Sequence, residues 1–244
     1  MSQELFGELY KLCEQADGDK NRLGYTQYYA KHFDSIRNDV NKFFEIGLAN
    51  GASTRMWLDY FPNADIYGLE NQMGSGEEFE GTKSKFGEDV VAKMFEGDQS
   101  ERDDLSGFVT KFGNDFDIII DDGGHCMNEQ CISLGYLFPY VKSGGYYVVE
   151  DLHTSLHSFP NRWNWGLGTP RFSYKDHGEN FPAGGTPTKT ALEVLQGWDS
   201  DGKIDSVYML DSEMDYLNNH IDTVDIYYIP GNDQRWTHHV VAFI

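Results

Sequence analysis

Two short stretches of the chain concentrate side chains that can hold a cation and move a proton: Asp121-Asp122-Gly123-Gly124-His125 and Glu150-Asp151-Leu152-His153-Thr154-Ser155. Each follows a run, Phe-Asp-Ile-Ile-Ile-Asp or Tyr-Tyr-Val-Val-Glu, that lacks polar alternation and reads as a strand buried on both faces. If these strands are neighbours in one sheet they stand about 4.8 Å apart, and Asp122, Glu150 and Asp151 can converge on one point. Three like charges there are costly unless a cation compensates them, and carboxylate oxygens suit Mg²⁺ or a similar hard ion. His125 follows Asp122 across two glycines, so its ring can reach the same pocket. An imidazole can take a proton from an alcohol while a metal stabilises the developing alkoxide; the competing reading makes His125 a structural cap. His153 and His157 also lie beyond the second strand, but their spacing alone makes no metal site, and loop or substrate contacts are the expectation for both.

A second constellation precedes these. Residues 43–53, Phe-Phe-Glu-Ile-Gly-Leu-Ala-Asn-Gly-Ala-Ser, read as a strand, a glycine loop and the start of a helix. Gly47 and Gly51 let the backbone turn and approach a ligand, and Ser53 is expected to cap the helix beside its free N–H groups. The spacing is GxxxG and not the GxGxxG of a dinucleotide site. The next strand ends at Glu70, where a carboxylate can accept from ribose hydroxyls, and a third ends in Glu96-Gly97-Asp98-Gln99-Ser100, which places Asp98, with Gln99 beside it, near an adenine amino group. Taken singly these acids read as solvated loop residues. Together, at the carboxyl ends of successive strands around a switch-point crevice, they describe a nucleoside pocket.

The elements that must position these residues alternate as βα units. Strands are expected over 43–47, 66–70, 90–96, 116–121 and 145–150, and helices over 53–60, 101–112, 128–141 and 188–198. Two further β-rich runs, 224–229 and 238–244, suggest a closing antiparallel pair. Residues 1–40 are expected to form a helical extension of a catalytic unit spanning 41–244. Within that unit lies a Trp-, Phe-, Pro- and Gly-rich stretch, 152–187, whose length suggests a substrate loop or lid; its Trp163, Trp165, Phe172 and Tyr174 suit either a sugar face or a satellite core.

In order and spacing, the series EIGxxxGxS, Glu70, GDQS and GGYYVVED resembles the class I S-adenosylmethionine-dependent methyltransferases over about residues 42–155. DDGGH followed by EDLHTS is similar to the metal-dependent macrolide-sugar O-methyltransferases of the mycinamicin and macrocin type. Asp17-Gly18-Asp19-Lys20, with Tyr25 and the Tyr28-Tyr29 pair, looks like the N-terminal stretch of that branch, although Gly24 stands where a His often precedes the Tyr. The resemblance implies a Rossmann-like fold: a mostly parallel seven-stranded sheet, helices on both faces and an antiparallel C-terminal strand. It implies S-adenosylmethionine contacts at Glu45, Gly47, Ser53, Glu70 and Asp98, with Gly51 and Gln99 in the same loops, and Asp121 near the methionine amine. It further implies a divalent metal, Mg²⁺ in expectation, on Asp122, Glu150 and Asp151, and His125 as base. The family has Ser more often than Gly124.

Composition sets the outer limits. The 244-residue length suits one α/β core. Asp plus Glu outnumber Lys plus Arg by 40 to 19, a formal charge of -21 that repels phosphate backbones and argues against nucleic acid as partner. A small hydroxyl-bearing acceptor, a sugar above all, is compatible with that surface, as is a homo-oligomer. No apolar run approaches the roughly 20 residues of a membrane span, and the acidic N-terminus does not read as a signal peptide, so a cytoplasmic protein without membrane partners is expected. Cys13, Cys126 and Cys131 are an odd set without CxxC and are expected to be reduced. Two other readings compete: a nucleotide-dependent dehydrogenase, against which the missing GxGxxG counts, and a non-catalytic cofactor-binding protein, which the complete set of base and acids disfavours.

Overall fold

The computed structural model describes residues 7–71, 83–155, 189–230 and 238–244. The expected lid therefore lies, from residue 156 onward, outside the described residues, together with His157, Trp163, Trp165, Phe172 and Tyr174. Seven strands, β1 (Lys42–Ile46), β2 (Asp65–Glu70), β3 (Met94–Glu96), β4 (Phe116–Asp121), β5 (Val141–Val149), β6 (Asp225–Pro230) and β7 (His238–Phe243), form one sheet in the order β3-β2-β1-β4-β5-β7-β6. Neighbours among β1 to β5 pair in parallel, and β7 runs antiparallel to both β5 and β6. This is the Rossmann-like methyltransferase arrangement that the sequence leads one to expect.

Strand alternation sorts the core into two layers. Phe44, Ile46, Ile119, Tyr147 and Val149 face one side, where they pack against α6 (Arg102–Phe112), α7 (Met127–Leu137) and α8 (Ala191–Asp201) through Leu105, Phe108, Met127 and Leu192. Phe43, Ile118, Ile120 and Val148 face the other, beneath α1 (Gly7–Gln15), α3 (Thr26–Phe33) and α4 (Ala52–Tyr60), which contribute Leu9, Tyr29, Phe33 and Trp57. The short α2 (Lys20–Leu23) connects α1 to α3 on that second side. All three cysteines are buried free thiols. Among the described residues no helix is long and apolar enough to cross a membrane.

The differences from the sequence reading are local. Val90 and Val91 belong to α5 (Glu88–Val91), so β3 begins only at Met94; a short apolar run does not by itself separate a helical turn from a strand. β5 starts at Val141, where the helix over 128–141 was expected to end, and so begins ahead of the expected 145, while that helix stops at Leu137. The shift between Phe116 and Ile118 in its pairing with β4 accommodates the extra length. The expected helix over 188–198 is displaced to α8, because Thr190 and Glu193 close a capping box that fixes its start. Helix α9 (Asp211–His220) has no counterpart in the sequence reading.

Candidate active site

Register places the two acid motifs. Asp121 pairs with Val149 and Ile46 with Asp121, so one residue further Asp122 lies between Gly47 and Glu150 at the carboxyl edge of the sheet. The ladder continues past the strand ends, with the Asp122 N–H donating to the Ile46 carbonyl and the Glu150 N–H to that of Asp121, both at 2.9 Å. Gly47 has φ +86, and a Cβ there would stand 2.1 Å from the Asp122 carbonyl oxygen. Glycine is therefore required both by backbone conformation and by the close approach of the acid loop.

The glycine loop leads into α4 in a way that corrects one expectation. The helix starts at Ala52, its N-cap is Gly51, and the Ala52 N–H donates to Asn50 Oδ1 at 2.9 Å, so Ser53 sits inside the first turn and is not the cap. The Ser53 hydroxyl donates to Glu45 Oε2, while the Trp57 indole N–H donates to Glu45 Oε1, both at 2.9 Å. Burial pushes the Glu45 carboxyl up to about 7, against the lowering effect of Lys20. Glu45 therefore braces the loop from inside. Glu70 Oε2 accepts from the Leu48 and Ala49 N–H groups at 2.6 and 2.8 Å, tying β2 to the same loop. Beyond β3, Asp98 Oδ1 accepts from the Ser100 N–H and hydroxyl. Gln99 bridges two loops, donating to both Asp121 oxygens at 2.9 and 3.0 Å and accepting from the Gly124 N–H at 2.8 Å.

A cavity of about 370 Å³ opens beside this loop, a volume in the range of small-molecule sites. Gly47, Ser53, Asp122, His125 and Asp151 all line it, and Lys20 reaches it from α2. Asp121 does not share that side. Alternation turns its side chain into the opposite layer, where Ser133 and Gln99 donate to it and burial, offset by those bonds, leaves its carboxyl at about 6. Asp122 and Glu150 carry the opposite parity and face the layer of the N-terminal helices.

There the Lys20 ammonium donates to Asp122 Oδ2 and to Glu150 Oε1, each at 2.6 Å, and the Tyr29 hydroxyl donates to the same Glu150 oxygen. Burial alone would lower the Lys20 pKa, but Asp122 and Glu150 raise it well above the usual lysine value, which keeps the amine charged. Asp151, at φ +54, turns out of the strand line. Its Oδ1 accepts from the Tyr25 hydroxyl at 2.5 Å, and its Oδ2 lies 3.5 Å from His125 Nε2. Burial would raise the Asp151 carboxyl, yet His125, His153 and the Tyr25 hydroxyl hold it at about 2. Asp122 Oδ1 lies 3.8 Å from His125 Nε2.

Asp122, His125 and Asp151 thus bring candidate ligand atoms within 4.8 Å of one another. Asp122 Oδ1 and Asp151 Oδ2 make no hydrogen bond among the described residues, and two such oxygens facing one gap fit a hard divalent ion. Glu150, expected in the same set, stands behind them on Lys20. Asp151 also groups with His153 and His239, two buried rings whose centroids are 5.0 Å apart. His125 has φ +57 and its carbonyl accepts from Thr154 Oγ1 at 2.8 Å, which orients the loop that presents the ring. A Cβ on Gly124 would meet Glu129 Oε2 at 2.2 Å, so the serine common in similar motifs cannot stand here with Glu129 as placed. Sequence reasoning found the Asp-Lys and Tyr spacing near the N-terminus without its contacts, and missed His239, which belongs to no motif.

No family model matches the sequence. The mycinamicin VI 2''-O-methyltransferase of Micromonospora griseorubida is 35% identical over 138 residues, 54% of this chain and 32% of that protein. The L-olivosyl-oleandolide 3-O-methyltransferase of Streptomyces antibioticus is 29% identical over 191 residues, 75% of this chain and 41% of that protein. Among solved structures, the MycE methyltransferase of mycinamycin biosynthesis in complex with Mg and SAH superposes with a TM-score of 0.64 at 26% identity, covering 96% of this chain and 53% of that one. The chain thus spans roughly a third to two fifths of the curated relatives it matches.

Proposed function

We propose that this relative of the macrolide-sugar O-methyltransferases transfers the methyl group of S-adenosylmethionine to a sugar hydroxyl of a glycosylated small molecule, with a divalent cation at its acid cluster. What carries the reading is one cavity that joins the glycine loop at Gly47 and Ser53 to Asp122, His125 and Asp151. MycE, solved with Mg, SAH and mycinamycin VI, supports it by likeness. The strongly acidic chain, at -21, also favours a small neutral acceptor over a polyanion.

The donor would supply an electrophilic methyl group, and a divalent cation, which Asp122 and Asp151 would hold, would supply positive charge that favours loss of the acceptor's proton. The glycine loop seats the donor, and Glu70 accepts from its ribose while continuing to hold the loop, since a carboxylate has capacity for about four hydrogen bonds. Asp98 accepts from the adenine amino group. His125 Nε2 takes the hydroxyl proton as the oxygen–methyl bond forms and the sulfur–methyl bond breaks. The products are a methyl ether, S-adenosylhomocysteine and an imidazolium, whose charge Asp151 and Asp122 balance from 3.5 and 3.8 Å.

Incubation with methyl-labelled donor and a panel of glycosylated polyketides should yield labelled methyl ethers by mass spectrometry, with the label on the sugar. Label found only on the aglycone would end the substrate assignment. Asp98→Ala should weaken S-adenosylhomocysteine binding by about 1–3 kcal/mol in calorimetry, the usual cost of stranding a buried donor. Unchanged affinity would put Asp98 outside the cofactor pocket.

A further inference from the structure

Alternation puts three carboxylates on one side of the sheet's carboxyl edge. Glu45 of β1, Asp122 after β4 and Glu150 after β5 all face the layer of the N-terminal helices, and Glu45 and Glu150 are almost wholly inaccessible. Left alone, buried acids in such proximity would repel one another or take up protons. The cation that meets them is Lys20. Its side chain is 2% exposed, it lies 2.6 Å from both Asp122 Oδ2 and Glu150 Oε1, and it acts electrostatically on Glu45. It comes from a segment 102 residues before Asp122, held in place by Asn21 Nδ2, which donates to the Tyr10 carbonyl, and by Leu23 and Tyr25 in the apolar layer. The lysine takes one oxygen of Asp122 and leaves the other facing Asp151.

We infer that Lys20 is a resident counter-ion and positioning residue: it neutralises the inner half of the acid cluster so that the cluster is assembled before any divalent cation binds, and it divides the acids into an inner one, Glu150, and an outer pair, Asp122 and Asp151, that receives the cation. The inference rests on the cation reading proposed above. A lysine that only packed between helices would have no bearing on the protein's response to metal. One that stands in for a metal charge makes the two cations partial substitutes, so that removing Lys20 transfers to the divalent ion the work of holding the acids together.

Thermal unfolding in excess chelator and in saturating Mn²⁺ separates these cases. The wild-type Tm should be higher in Mn²⁺ only by the few degrees that filling a site adds by mass action. Lys20→Met, which keeps the volume of the side chain and removes its charge, should melt roughly 6–20 °C lower in chelator, given the usual cost of stranding a buried charge and the usual slope of Tm for a chain of this size. Most of that loss should return with Mn²⁺. Lys20→Arg should follow wild type, and Lys20→Met combined with Glu150→Gln should recover stability in chelator without metal, a rescue that also decides the matter where Lys20→Met alone fails to fold. A Lys20→Met Tm equal to wild type in chelator, a loss that Mn²⁺ does not restore although the wild-type protein binds it, or a double variant that fails to recover would each overturn the inference. Electron paramagnetic resonance of Mn²⁺ with the wild-type protein tests the cation reading separately: without binding, that reading fails, while the chelator comparison and the Glu150→Gln rescue still score Lys20 as counter-ion.

Discussion

Chelation should abolish methyl transfer while leaving S-adenosylhomocysteine binding largely intact, and added Mg²⁺ should restore turnover. Different residues account for the separation. On the function proposed, the donor would sit on the glycine loop, with Glu70, which holds the Leu48 and Ala49 amides, and Asp98 as its acceptors, and none of these belongs to the candidate ligand group. Asp122 Oδ1 and Asp151 Oδ2, by contrast, converge beside His125, the base of the proposed mechanism. Without a cation these oxygens present negative charge to an incipient alkoxide, which opposes the reaction that a metal would assist. Calorimetry of the product nucleoside and a turnover assay, both in chelator, check the two halves independently. Full activity in excess chelator would refute metal dependence even with the methyltransferase assignment intact.

Removing the base should have an effect of comparable size. His125→Ala is expected to lower turnover by roughly 10² to 10⁴, the range usual for general acid–base catalysis. The ring makes no hydrogen bond through Nδ1 among the described residues, and the loop is tied down through the His125 carbonyl, so the fold should survive loss of the imidazole. The position has φ +57, however, where alanine adds a backbone cost of about 1–2 kcal/mol. His125→Asn is the better companion, because asparagine tolerates the left-handed region and still cannot act as base. Both variants should bind S-adenosylhomocysteine as the parent does. If the asparagine variant turned over at the parent rate with an unchanged metal requirement, proton removal would have to be assigned elsewhere.

The sheet was legible because its central strands leave little choice. Phe116 to Asp121 admits no polar alternation, and a glycine turn or an acid motif marks each strand end that matters. Positions that depend on parity were harder. Asp121 and Asp122 are adjacent and chemically identical, and only the register of β4 against β1 and β5 shows that the first enters the layer of Gln99 and Ser133 while the second meets Lys20. Lys20 itself could be noticed as part of an Asp-Lys pair, but a bond spanning 102 residues is set by how α1 to α3 fold back over the sheet. Helix α9 escaped because its Asp- and Asn-rich sequence gives weak periodicity; its start is fixed by Glu213, which accepts from the Leu210 N–H at 2.8 Å and pairs with Arg102.

The abutment of Gly47 on the Asp122 carbonyl bears on how such a protein can diversify. The glycine loop and the loop that presents the acids meet main chain to main chain, so on the function proposed the span a methyl group would cross is set by the sheet edge itself. Exchange of peripheral segments would then change which acceptor is admitted without resetting that span. New acceptors are therefore open to the scaffold through its outer loops, whereas any residue larger than glycine at position 47 would push donor and acceptor out of alignment together, whatever the acceptor.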